Sequence, residues 1–149
     1  MKGKHLAALT AALIATSSAL AGTYEWTEGW GMGVTEYSVD DGNNNRLVIA
    51  CPGDESQSLS ASASIAGKEY YSGYDLGFDV IVDGENYTNP FYTECNFCRA
   101  QFDVFWKALR NANHLKLTAD GQTVNLPTSN LKELLLPLGA PENSCRSTW

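Results

Sequence analysis

The feature that most constrains the fold is a strict alternation of apolar and hydroxyl side chains over residues 58–65. The two sets are Leu59, Ala61, Ala63 and Ile65 against Ser58, Ser60, Ser62 and Ser64. Successive side chains of a strand point to opposite faces of a sheet, so a period of two predicts a β-strand. One face of this strand is small and apolar, and the other is a row of hydroxyls.

Further strands are predicted on both sides of this segment, separated by turn residues such as Asp83-Gly84 and Asp120-Gly121. They cover residues 31–39, 46–51, 77–82, 87–92, 115–118 and 122–126. Residues 24–30 give no clear assignment, and the segment with Tyr70, Tyr71 and Tyr74 is predicted as a connection. Strands that are adjacent in sequence and joined by short turns form antiparallel sheets.

Two segments change to helical spacing. Phe102, Phe105, Trp106 and Leu109 form one apolar stripe, which predicts an amphipathic helix at about residues 96–113 docked on a sheet. A short helix is predicted at about residues 130–136, with Asn130 as its N-terminal cap and Glu133 three residues later. The fold class is therefore mainly β or α+β: an antiparallel sheet or β-sandwich with two helices.

The N-terminus has the pattern of a cleaved secretory signal over residues 1–21. Lys2 and Lys4 precede an apolar run, and Ala19-Leu20-Ala21 supplies the small residues that signal peptidase accepts. The run is too short to span a membrane, which needs about 20 apolar residues. We expect residues 22–149 to form a single domain in the periplasm or outside the cell, without membrane insertion.

Cleavage would leave 8 Lys and Arg against 17 Asp and Glu, a net charge of −9. Such a charge repels phosphate backbones and anionic lipids, which argues against nucleic acid or a membrane surface as partner. We expect the partner to be another protein, and the charge would favour a basic one.

All four cysteines, Cys51, Cys95, Cys98 and Cys145, follow the predicted signal. An even number in an oxidising compartment indicates disulfides, and four cysteines allow three pairings that the sequence alone does not resolve. We prefer Cys51–Cys145 with Cys95–Cys98. In this pairing the long loop would provide most of the covalent stabilisation.

Cys95 and Cys98 also form a CxxC motif at the predicted helix start. A thiolate at a helix N-terminus is stabilised by exposed N–H groups, and the second cysteine can resolve a mixed disulfide. Thiol–disulfide oxidoreductases hold this motif in a βαβ unit, which the sequence does not predict, and the neighbouring Glu94 would raise a thiol pKa. We favour a structural disulfide and keep a redox role as the alternative.

No other arrangement in the sequence indicates catalysis. The predicted domain has a single histidine, His114, its carboxylates show no acid–base pairing, and there is no phosphate-binding glycine loop. One CxxC with two distant cysteines lacks the spacing of a zinc ribbon. We assign no catalytic residue, metal or cofactor.

Several aromatic residues could form a recognition surface. Tyrosine and tryptophan dominate binding hot spots, and the candidates here are Tyr70, Tyr71, Tyr74 and Trp30. Core packing would explain some of these side chains equally well.

The strand that ends at Cys51, the helix containing Phe102 and Leu109, and the leucine-rich segment before Cys145 together resemble two families. These are the small periplasmic β-sandwich proteins of the invasion-associated locus B type and of the type VI secretion-associated VasI type. The resemblance implies a non-enzymatic accessory or virulence-associated envelope protein with a Cys51–Cys145 bond. The CxxC motif and the Tyr-rich segment depart from it.

Together these features predict an exported binding module, such as an inhibitor, an immunity protein or a secretion or virulence accessory. It would act through protein–protein contact, without enzymatic activity. The alternative is a thiol–disulfide redox protein that uses Cys95 and Cys98.

Overall fold

Nine strands form two antiparallel sheets in the computed structural model, which describes residues 22–73, 75 and 77–149. The elements are β1 (Thr27–Gly31), β2 (Val34–Asp40), β3 (Arg46–Pro52), β4 (Ser60–Ile65), β5 (Lys68–Tyr71), β6 (Asp79–Val82), β7 (Glu85–Tyr87), α1 (Asn96–Arg110), β8 (Leu115–Ala119), β9 (Gln122–Leu126) and α2 (Leu131–Leu134). The first sheet has the order β1-β2-β3-β4-β5 and the second the order β7-β6-β8-β9. This confirms the mainly β fold class. The predicted signal, residues 1–21, and Tyr74 lie outside the described residues.

The alternating segment forms β4, which lies between β3 and β5 in the first sheet. Its apolar side chains Ala61, Ala63 and Ile65 are buried, whereas the serines between them are half-buried or exposed. Because β4 also contacts β8 and β9, its apolar face lies against the second sheet.

The two sheets and α1 share one hydrophobic core. Phe105 of α1 contacts Tyr87 and Phe91, with ring centroids 5.2 and 5.1 Å apart. The buried Trp106 donates a hydrogen bond from Nε1 to the carbonyl oxygen of Leu136 at 2.8 Å, so its one polar atom is satisfied. The predicted apolar stripe of the helix is therefore its buried face.

Both helices are shorter than the sequence predicts. Helix α1 ends at Arg110, because the side-chain amide of Asn111 donates to the carbonyl oxygen of Lys107 at 2.8 Å. Helix α2 has four residues, and the prediction of a side-chain cap at Asn130 is wrong. Asn130 has a left-handed backbone (φ +68°), and its amide nitrogen lies 3.5 Å from the carbonyl oxygen of Trp26.

Several strand predictions also need correction. Residues 27–30, left unassigned, form β1 together with Gly31. The strand predicted over residues 31–39 begins only at Val34, because Met32 and Gly33 form the turn between β1 and β2. The predicted connection after Gly67 contains β5. The strand predicted over residues 87–92 is confined to β7, which ends at Tyr87. Short edge strands without clean alternation leave little sequence signal, since their positions depend on pairing with a neighbour.

The structure contains two disulfides, Cys51–Cys145 and Cys95–Cys98. Cys51 and Cys145 are both buried and close a loop across 94 residues of sequence. The bond attaches the C-terminal segment to β3, and the Leu59 N–H then donates to the carbonyl oxygen of Arg146 at 2.8 Å.

Among the described residues, no helix has both the length and the apolar character needed to cross a membrane.

We expect the double variant Cys51→Ala/Cys145→Ala to lose about 4–5 kcal/mol of unfolding free energy, because the long cross-link restricts the unfolded chain most. The matched double variant Cys95→Ala/Cys98→Ala removes a bond between cysteines only 3 residues apart in sequence. It should lose only about 2 kcal/mol of unfolding free energy. Chemical denaturation measures both values. Equal losses in the two variants would contradict this assignment of the main covalent constraint.

Candidate functional site

The hairpin of β1 and β2 carries two large exposed apolar side chains. Trp30, in β1, is 76% exposed and Met32, in the turn, is fully exposed. The turn has two residues, Met32 and Gly33, both with positive φ (52° and 79°), as the tight turns favoured in hairpins require. The Gly53 N–H donates to the carbonyl oxygen of Gly33 at 2.8 Å, which ties the hairpin tip to the end of β3.

The base of this hairpin is fixed in the core. Trp26, immediately before β1, is fully buried, and its Nε1–H donates to the carbonyl oxygen of Pro127 at 3.0 Å. Its backbone N–H donates to the carbonyl oxygen of Ser129 at 2.9 Å. The hairpin therefore presents Trp30 and Met32 from a fixed base.

The hairpin region is uniformly acidic. Residues 22–45 contain five acidic residues and no lysine or arginine; the acids are Glu25, Glu28, Glu36, Asp40 and Asp41. In the register of β1 and β2, Glu28 lies opposite Tyr37, whose pKa is raised by burial and, secondarily, by the Glu28 carboxylate. This concentration of negative charge favours a positively charged partner surface.

The structure does not bring the predicted aromatic residues together. Trp30 shares its row with Thr35 and the buried Cys51, whereas Tyr71 shares its row with Ser62 on the opposite face of the sheet. Strands β1 and β5 are the two edges of the sheet, roughly 19 Å apart at the usual strand spacing. Trp30 and the 61% exposed Tyr71 therefore belong to two separate surfaces.

Tyr70 is buried and does not belong to either surface. Its hydroxyl donates to Asp120 Oδ2 at 3.0 Å, and Lys68 Nζ lies 2.6 Å from the same oxygen. The hydrogen bond from Lys68, followed by that from Tyr70, lowers the pKa of the Asp120 carboxyl. This group connects β5 with the turn between β8 and β9, so Tyr70 has a structural role between the sheets.

A groove that begins on the outer face of the first sheet and continues past the start of β4 to residues 91–94 was not predicted as a site. It consists of two adjoining clefts of ≈ 500 and ≈ 280 Å³, which share Ser60 and Ser72. We call it the hydroxyl groove; its lining includes Tyr71, Thr93, Glu94 and Glu36. The alternating serines were the sequence signal, but only the fold places Thr93 and Glu94 beside them.

The CxxC motif lies at the start of α1. Cys95 is the N-cap residue, and its Sγ accepts a hydrogen bond from the Cys98 N–H at 2.9 Å. Both cysteines are half-buried, and Phe97 between them is 74% exposed. A sulfur in this position would be stabilised as a thiolate by the helix terminus.

The remaining candidates have structural partners. His114 is exposed, and its backbone N–H donates to Asp83 Oδ1 at 2.8 Å, as does that of Asn113 at 3.0 Å. Within the part of the chain that the structure describes, no group of three or more histidine, cysteine, aspartate or glutamate side chains could hold a metal ion.

Comparison with known proteins gives a family for this chain. Residues 24–135 match the YfjT family. The chain belongs to the YfjT family. It is 33% identical over 81 residues to the uncharacterized protein YfjT of Escherichia coli (strain K12), and this match covers 50% of the chain and 51% of the relative. No solved structure matches the chain. The resemblance to the invasion-associated locus B and VasI types stays a prediction.

Proposed function

We propose that this YfjT-family protein is an exported binding module that recognises a basic protein through the tip of the β1–β2 hairpin. The observation that carries the proposal is the pair of exposed side chains, Trp30 and Met32, on a tight turn with a fixed base. Tryptophan is the residue most enriched in binding hot spots, and methionine adapts its shape to irregular partner surfaces.

The charge distribution supports a basic partner. The segment 22–45 contains five acidic residues, and they both precede and follow Trp30 and Met32 in the sequence. The segment has no lysine or arginine to compensate their charge. In such an arrangement the apolar residues give affinity, while the charges accelerate association and select the partner. An inhibitor, an immunity protein or an accessory of a secretion or virulence system would act by this kind of contact.

Export is the second part of the proposal. It is supported by the signal-like residues 1–21 and by two disulfides, which persist mainly in oxidising compartments.

When the full chain is expressed in a bacterium, we expect it in the periplasm or the medium, in a form that begins at Gly22. Cell fractionation and the intact mass of the recovered protein measure this, and a variant with Lys2→Glu/Lys4→Glu should be exported less efficiently. An unprocessed chain that remains in the cytoplasm would overturn the export proposal.

We expect Trp30→Ala to weaken partner binding by about 2 kcal/mol, roughly 30-fold in Kd, because Trp30 would be the central anchor. The purified protein serves as bait for envelope extracts, and Kd is then measured for the captured protein. Trp149→Ala, which removes another exposed tryptophan (55% exposed), is the matched control and should bind normally.

Binding should also weaken as salt concentration rises, since salt screens exposed charges. The hairpin is contradicted as the binding element if the Trp30 and Trp149 variants lose binding equally. It is also contradicted if the captured protein binds both variants with unchanged Kd. Both side chains are exposed, so neither substitution removes packing from the core, and thermal unfolding of each variant checks this.

A thiol–disulfide redox role is the second candidate function. The hydrogen bond from the Cys98 N–H to Cys95 Sγ favours it, because the same contact would stabilise a Cys95 thiolate after reduction. The incomplete burial of both cysteines would allow a partner thiol to approach.

For a redox role we expect a Cys95–Cys98 reduction potential above about −300 mV, and insulin-reduction activity that Cys95→Ser abolishes. Equilibration with glutathione followed by mass spectrometry measures the potential, and the buried Cys51–Cys145 bond is the internal control. A potential well below that value, with no insulin reduction, would assign the pair a structural role.

A further inference from the structure

The register of the β1–β2 hairpin determines which backbone groups of β1 face away from β2. Gly31 and Val34 flank the two-residue turn and form a hydrogen-bonded pair. Hydrogen-bonded and non-hydrogen-bonded pairs alternate along antiparallel strands, so Gly29 also directs its N–H and C=O toward β2. The N–H and C=O groups of Glu28 and Trp30 therefore point outward from the edge of the sheet.

The start of this edge already makes a hydrogen bond of the kind that joins strands. Trp26 lies two residues before Glu28, and its N–H donates to the carbonyl oxygen of Ser129 at 2.9 Å. Its carbonyl oxygen lies 3.5 Å from the side-chain nitrogen of Asn130. Among the described residues, none makes a corresponding hydrogen bond to the outward groups of Glu28 or Trp30. The edge is therefore occupied at Trp26 and open beyond it.

Strand β1 lacks the features that usually protect an edge. Proteins protect such strands with lysine, proline or a β-bulge. The sequence of β1 contains neither lysine nor proline, and its pairing with β2 is continuous from Thr27 to Gly31. No atom lies within 4 Å of the position that a Cβ would take at Gly29 or Gly31. A further strand can therefore approach the backbone of β1 closely.

The other edge strands offer less. Strand β7 has only 3 residues, and β5 carries Lys68, a residue type that protects edges. Strand β9 carries none of the large exposed apolar side chains of the described residues. Only β1 combines a continuous edge without lysine with an exposed tryptophan.

Glu28 and Trp30 restrict what can pair with this edge. They lie two residues apart and so share one face of the hairpin. A strand antiparallel to β1 would place one residue opposite Trp30 and, two positions later, another opposite Glu28. Opposite charges and apolar pairs stabilise such contacts, whereas like charges destabilise them. A large apolar residue followed two positions later by lysine or arginine fits; a second copy of β1 offers no basic residue.

We propose that the edge of β1 is extended by an antiparallel strand of the partner, with the pattern apolar-x-Lys or apolar-x-Arg. Hydrogen bonds from the outward backbone groups give affinity, and the pairs at Trp30 and Glu28 give specificity. The added strand is short, because the Ser129 segment occupies the edge at Trp26. This inference rests on the proposed function and specifies how the hairpin binds its partner.

The test is an NMR titration of the isotopically labelled protein in its exported form with the acetylated, amidated peptide Thr-Ile-Thr-Lys-Thr. We expect saturable shifts of the Glu28 and Trp30 amides below about 10 mM peptide, together with slower hydrogen exchange of both. N-methylation of the isoleucine and lysine removes the N–H groups that face β1 and should weaken binding by about 10-fold or more. N-methylation of the central threonine, whose N–H faces away, is the matched control and should leave Kd unchanged.

A change of charge at Glu28 tests the specificity. Glu28→Lys should weaken binding of this peptide by about 10-fold and should favour Thr-Ile-Thr-Glu-Thr instead. Glu36→Lys is the matched control, because it makes the same change of charge on the opposite face of the hairpin, in the row of Gly29. It should keep the preference for the lysine peptide. Both glutamates are exposed, and thermal unfolding of each variant checks that the fold is intact.

Absence of saturable shifts would overturn the edge proposal, as would equal Kd values for the two methylated peptides. Shifts of the same amides on raising the protein concentration without peptide would assign the edge to a second copy and also overturn it. If the peptide fails while a captured partner still depends on Trp30, only the edge proposal is wrong. If the peptide binds as expected while the captured partner ignores Trp30→Ala, the hairpin function is wrong instead.

Discussion

The Cys51–Cys145 disulfide is the constraint on which the rest of the structure depends. Cys51 belongs to β3, the middle strand of the first sheet, and the bond holds the C-terminal segment against it. That segment then contacts the start of β4 through Arg146 and the segment before α1 through Ser147. The buried disulfide therefore holds in place the C-terminal segment that contributes Thr148 to the lining of the hydroxyl groove.

The tip of the β1–β2 hairpin and the hydroxyl groove lie at different edges of the same sheet. Strand β1 is an edge of the sheet, and its residue Trp30 is exposed. The row of paired residues that begins at Trp30 nevertheless continues across β2 to the buried Cys51 on β3. At the β5 edge, the outer face is open, and small side chains on β3 and β4 leave a trough. A rigid sheet makes both surfaces available without a change of shape, which favours recognition by contact.

Much of the fold could be predicted because its signals are local. The alternation in β4, the apolar stripe of α1 and the Asp120-Gly121 turn each depend on residues close in sequence, and all three occur in the structure. The edge strands β1 and β5 could not be predicted, since their conformation is imposed by pairing with β2 and β4. Asn130 does precede α2, but its side chain makes no capping hydrogen bond, and its amide nitrogen lies instead 3.5 Å from the carbonyl oxygen of Trp26, a residue distant in sequence.

The candidate sites were harder to predict than the fold. Tyr70 and Tyr71 are adjacent and chemically identical, yet strand geometry buries the ring of Tyr70, whose hydroxyl reaches Asp120, and leaves Tyr71 exposed. Trp30 was identified as a candidate from its type alone, whereas its separation from Tyr71 required the strand order.

The acidity of the hairpin has a consequence for how copies of this protein behave together. Among the described residues, β1 is hydrogen-bonded only to β2, which leaves its other edge with free backbone groups of the kind that join sheets into polymers. The five carboxylates of residues 22–45 are the same in every copy, so like charge opposes the pairing of two such edges. The same charge attracts an oppositely charged surface to this hairpin.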